Sequence, residues 1–112
     1  VLLNLLNNAY DSVLKVDSNR WIEVKIVRKS NKVLIKVFDS GAAVDKKIKD
    51  KIFEPFFTTK DIGQGIGLGL SISRDIMIKN NGDLRLEYRE KISYFEIELD
   101  EFLPEIDGCF ND

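Results

Sequence analysis

Residues 61–73 read DIGQGIGLGLSIS, with glycine at 63, 65, 67 and 69, and an apolar, helix-like run follows at once. Glycine loses more backbone freedom on folding than any other residue, so such a run does not belong inside an ordinary packed element and needs a reason. One reason is access. Without side chains, backbone N–H groups can come close to a bound anion, and the N-terminus of the following helix adds partial positive charge and unpaired donors. The competing reading is a flexible surface loop. A P-loop is excluded because no Gly-Lys-Ser/Thr ends the stretch. A dinucleotide fingerprint is excluded because no strand-like run leads directly into it.

The rest of the chain narrows the choice. Its 112 residues suit one domain with one core. A net charge of −2 gives no broad electrostatic case for nucleic acid or an anionic membrane. The single cysteine, Cys109, excludes an internal disulfide and fits a reducing, cytoplasmic setting. No apolar run approaches membrane-spanning length, so no membrane contact is expected of this chain. Val1 already reads as mid-helix, which marks the chain as a piece of something longer, with its N-terminal edge truncated. There is no histidine.

Residues 2–15 read as a helix. Leu2, Leu5, Leu6, Ala9 and Val13 share one apolar face, while Asn4, Asn8, Asp11 and Lys15 form a polar stripe at i, i+4, i+7 and i+11. Asparagine is a poor interior helix residue, costing roughly 0.5 kcal/mol against alanine. Water-facing positions would more naturally carry Lys or Glu, so the stripe is read as facing a polar ligand or metal. Residues 21–28 and 32–39 alternate as two strands joined by a short link at 29–31, a hairpin. Asp39, Ser40 and Gly41 end the second strand in a turn. Residues 45–52 suggest a short basic helix, its lysines solvated. Residues 53–60, FEPFFTTK, read as an ordered aromatic loop. A second helix over 68–80 stops at Asn81 and Gly82. Two strands follow at 83–88 and 94–99, turning near Glu90 and Lys91. The order predicts a two-layer α/β (α+β) sandwich, with a mixed sheet and helices on one face. The domain spans 1–104, and 105–112 is an acidic C-terminal tail.

Four signals stand in one order: NLLNNAYDS at 4–12, DSGAAV at 39–44, IFEPFFTTK at 52–60 and GIGLGLSIS at 65–73. Together they resemble the N box, first glycine box, F box and second glycine box of the ATP-binding catalytic domain of sensor histidine kinases. That domain has a Bergerat-type fold, in the wider group that includes gyrase B and some chaperone ATPases. The resemblance covers nearly the whole of 1–104.

The resemblance implies ATP and Mg²⁺ as ligands. Asn8, with Asn4 beside it, would coordinate Mg²⁺ and the phosphates; amide oxygens are hard ligands suited to that ion. Asp11 and Lys15 would edge the same site. Asp39 would accept a hydrogen bond from the adenine amine, which a carboxylate can do and a donor cannot. Gly41 would let the chain turn under the base, with Ala43 close by. Thr58, Thr59 and Lys60 would begin a lid continued by 61–64. Gly65, Gly67, Leu68 and Gly69 would present N–H groups to the phosphates. The second glycine of the family's D-x-G-x-G is Ala43 here. If that position needs a positive φ, alanine costs roughly 1–2 kcal/mol.

The activity implied is transfer of the γ-phosphoryl group of ATP to a histidine on a separate dimerisation and phosphoacceptor hairpin. The whole kinase would be a homodimer, signalling to a response regulator. Lacking histidine, the chain holds no acceptor, and no catalytic base is assigned within it. Two other readings stay open: a related serine kinase or ATPase, and a degenerate regulatory scaffold suggested by Ala43.

Overall fold

The computed structural model describes residues 1–58 and 68–101. Thr59, Lys60, the lid at 61–64, Gly65, Gly67 and the tail at 105–112 lie outside these residues. The elements in chain order are α1 (Leu2–Val13), β1 (Ile22–Lys29), β2 (Lys32–Asp39), a 3₁₀ turn (Lys46–Ile48), α2 (Gly69–Lys79), β3 (Asp83–Arg89) and β4 (Ile92–Asp100).

Each hairpin is set by its turn. Ser30 and Asn31 have φ of 51° and 65°, and Lys29 pairs with Lys32, so the link has two residues rather than three. Two consecutive left-handed residues match the natural twist of paired strands. In the second hairpin Arg89 pairs with Ile92, and Glu90 takes the left-handed conformation, with φ of 57°. β4 therefore starts two residues earlier than the alternation suggested. The basic helix expected at 45–52 is only the 3₁₀ turn, capped by the Asp45 carboxylate, which accepts from Lys47 N–H at 2.9 Å.

The strand order is β1-β2-β4-β3, and all three pairings are antiparallel. The expected mixed sheet is thus corrected for these four strands. β2 and β3 do run in the same direction, joined by α2, but β4 lies between them as in a split βαβ unit. Charge favours this insertion. Lys36 lies opposite Glu96 and Lys32 opposite Asp100 across the β2–β4 pair.

Both helices cover one face, as expected. On that face Ile35, Ile97 and Leu84 lie in register, as do Val37, Phe95 and Leu86. Leu5 and Ala9 of α1 and Met77 of α2 close the core over them. Buried Leu5, Ala9 and Val13 fall at i, i+4 and i+8, the stripe a helix turns inward. α1 lies mainly over β2 and α2 over β3, so the helical layer stops short of the β1 edge. Ile26, on the same face, is therefore 70% exposed. The opposite face carries a polar network in which Arg85 donates to Glu96 at 2.6 Å and Glu98 at 3.1 Å.

α2 ends in a Schellman motif. Asn81 has φ of 62°, Gly82 N–H donates to Met77 O at 2.8 Å, and Asn81 N–H donates to Ile78 O at 3.1 Å. This is the stop anticipated at Asn81 and Gly82. A Cβ at Gly82 would overlap the Glu98 carbonyl, so α2 turns into β3 directly against the backbone of β4.

Candidate functional site

A cavity of about 560 Å³ lies between α1, the end of β2, the segment that follows it and the start of α2, with β4 as its floor. That volume is within the range of small-molecule and cofactor sites.

Asn4, Asn8, Asp11 and Lys15 all line it. The stripe is polar because it faces this cavity, while the opposite stripe packs on β2. Asn4 is also fixed from across the helix pair: its Nδ2 donates to Ser73 Oγ at 3.2 Å. A Cβ at Gly69 would stand 2.7 Å from Asn4 Oδ1. Glycine at 69 therefore lets the first turn of α2 approach α1, a reason the loop's composition did not reveal. Leu68 and Thr58 line the cavity too.

Asp39 enters at the end of β2. Its Oδ1 accepts from Gly41 N–H at 2.7 Å and from Ser12 Oγ at 3.1 Å. A Cβ at Gly41 would overlap Ser12 Oγ and lie 2.8 Å from Asp39 Oδ1. Gly41 is needed for this close approach of strand end to helix, in addition to any turn it makes.

Ala43 lines the cavity. It is not among the residues with positive φ, so the strain expected from an alanine at this position does not arise. The next residue, Val44, is held at both backbone groups: its N–H donates to Ser93 Oγ at 2.8 Å and its carbonyl accepts from Tyr88 Oη at 2.7 Å. The Lys46 and Lys49 ammonium groups sit 5.3 and 5.5 Å from the centre of the Tyr88 ring. Burial, and then the nearby Asp45 carboxylate, push the Tyr88 phenol up from its ordinary value.

Sequence reasoning missed Ser12, Val44, Ile48, Ile52, Ser93, Tyr94 and Phe95 as cavity residues. Ser12 was within reach, since it follows Asn8 by one helical turn. The residues of β4 carry no local signal, because strand order alone brings them under the site. Among the described residues no cluster of three His, Cys, Asp or Glu could hold a metal by itself. The oxygens of Asn4 and Asn8 suit a hard ion that brings most of its own oxygen ligands.

A polar helical stripe, a strand-end carboxylate and a helix N-terminus meeting at one cavity of this size define a nucleotide-binding type of domain. Residues 1–102 match the family described as histidine kinase-, DNA gyrase B- and HSP90-like ATPase, and the chain belongs to it as an ATP-binding catalytic domain. It is 36% identical over 103 residues to the two-component sensor PprA of Pseudomonas aeruginosa, covering 88% of this chain and 11% of that protein. It is 38% identical over 87 residues to the signal transduction histidine-protein kinase AtoS of Escherichia coli, covering 77% of this chain and 14% of that protein. The nucleotide-free catalytic domain of histidine kinase ThkA superposes with a TM-score of 0.74 at 38% identity, covering 89% of this chain and 63% of that one. The chain thus spans a small part of these curated sensor proteins. Among the described residues no helix is long and apolar enough to cross a membrane.

Proposed function

We propose that this domain binds ATP with Mg²⁺ in the cavity and supplies the γ-phosphoryl group to a histidine on a separate helical hairpin of the same kinase. The observation that carries this reading is the meeting of Asn4, Asn8, Asp39 and the start of α2 around one cavity. Asp39 accepts from the adenine amine and so selects ATP over GTP. Gly41 and Ala43 lie at the base end. Asn8 and Asn4 offer amide oxygens to Mg²⁺, with Asp11 and Lys15 at the edge. When bound, the ion would supply positive charge to offset that of the phosphates. Leu68 and Gly69, at the N-terminus of α2, turn N–H groups toward the phosphates, helped by Gly65 and Gly67. Thr58, Thr59 and Lys60 begin the lid.

The domain's contribution is to position the triphosphate and stabilise its charge, with the acceptor supplied from elsewhere. The phosphoacceptor histidine lies outside the chain, which has none. Phe56, 71% exposed, offers a contact for the acceptor hairpin. In the whole protein that hairpin makes a homodimer, acts in the cytoplasm and passes the phosphoryl group to a response regulator. Ala43 carries no left-handed backbone, so a non-binding scaffold would have to rest on its methyl group in the cavity.

The test is calorimetric titration with ATP and Mg²⁺, followed by radiolabelled ATP with the parent kinase. Binding, and an acid-labile, base-stable phosphoprotein lost in Asn8→Ala, support the reading. An acid-stable product moves it to a serine kinase. Absence of binding overturns it.

A further inference from the structure

We propose that Ser12 is a specificity-determining positioning residue, which aims the Asp39 carboxylate at the exocyclic amine of the purine. This rests on the reading of the cavity as an ATP site. Ser12 belongs to the last full turn of α1 and lines the cavity beside Asp11. Its hydroxyl reaches across 27 positions of sequence to Asp39 Oδ1 at 3.1 Å. Gly41 N–H reaches the same oxygen at 2.7 Å.

The Gly41 bond comes from two residues along the same chain segment and travels with it. The Ser12 bond comes from a different element and ties the carboxylate to the helix that carries Asn4 and Asn8. Both donors fall on Oδ1. A carboxylate accepts at both oxygens, so Oδ2 is left as the acceptor for the base. The two oxygens are equivalent, so what the Ser12 hydroxyl restrains is the tilt of the carboxylate plane about the Cβ–Cγ bond. The fit is close, because Gly41 has no room for a Cβ beside Ser12 Oγ. The distance from the base end of the cavity to the phosphate-facing asparagines is thereby set through one helix. Ser12 acts through Asp39 and needs no contact of its own with the reacting phosphate.

The experiment compares Ser12→Ala and Ser12→Thr with the parent by calorimetry, each titrated with Mg²⁺ and either ATP or purine riboside triphosphate, which lacks the amine. The parent should bind ATP more tightly than the analogue; if it binds neither, the ATP-site reading itself fails. Ser12→Ala should weaken ATP roughly threefold to tenfold, the range of one lost hydrogen bond of ordinary strength. It should leave the analogue's affinity unchanged. Ser12→Thr, which keeps the hydroxyl, should restore the preference for ATP. Equal weakening of both ligands would mean that Ser12 merely supports the cavity, and no weakening of either would mean that Gly41 suffices to hold Asp39. Either result overturns the proposal. Amide hydrogen exchange across β2 and α1 shows that the alanine variant is folded, and threonine rescue carries the test if it is not.

Discussion

Tyr88, on β3, donates its phenolic hydrogen to the carbonyl of Val44, 2.7 Å away and 44 positions earlier in the chain. This bond ties the segment after β2, one wall of the cavity, to the far hairpin of the sheet. Tyr88→Phe keeps the ring beneath Lys46 and Lys49 and removes only the hydroxyl. It should destabilise the domain by about 1 kcal/mol, the usual net worth of such a bond. Burial, and then the Asp45 carboxylate, disfavour the phenolate and push the Tyr88 pKa up. The unfolded chain therefore loses this proton at a lower pH than the folded one. The resulting stability is complete below the ordinary tyrosine value of about 10 and is lost as pH rises through the raised folded value. Denaturant melts from pH 8 upward should show a shallower alkaline loss in Tyr88→Phe than in the parent. Parallel curves would show that Tyr88 does not contribute to this dependence.

Asp39→Asn should weaken ATP by roughly 1.5–3 kcal/mol while leaving the fold intact. The amide keeps an oxygen for Ser12 and Gly41, and so places an NH₂ group where Oδ2 had been. Two donors would then face each other at the adenine amine. Calorimetry on both proteins checks this, and equal affinities would reduce Asp39 to a turn residue.

Ala43→Gly should lower stability by roughly 0.5–1 kcal/mol without tightening ATP. Its φ is already acceptable to alanine, so glycine relieves no backbone strain and adds freedom to the unfolded chain. Thermal melts and titration test the two halves separately. A tighter complex would show that the methyl group, rather than the backbone, limits the pocket.

Gly82→Ala should cost roughly 1–3 kcal/mol, as overpacking does. The new methyl would overlap the Glu98 carbonyl and come within 2.9 Å of Met77 Cε, and the first of these is main chain with little freedom to move. Faster hydrogen exchange at the end of α2 should accompany the loss. An unchanged melting temperature would show that the α2–β3 turn moves easily away from β4.

Local physics settled much of this protein in the sequence itself. Alternation produced both hairpins, and helical spacing separated the buried face of α1 from the stripe Asn4, Asn8, Asp11 and Lys15. Asn81 and Gly82 marked the end of α2 because left-handed geometry and a missing Cβ are properties of single residues. The boxes around Asp39 and the glycine run named the family before any contact was known. Tertiary structure decided what depends on partners distant in sequence. β4 entered between β2 and β3, making the described sheet antiparallel and carrying Ser93, Tyr94 and Phe95 under the cavity. The backbone at Ala43, clear of the left-handed region, removed a strain that the family resemblance had raised. Gly41 and Gly69 proved to be glycines because Ser12 and Asn4 stand beside them. Such close approaches are set by where whole elements pack, and nothing in the few residues around a glycine encodes which side chain will arrive from another element.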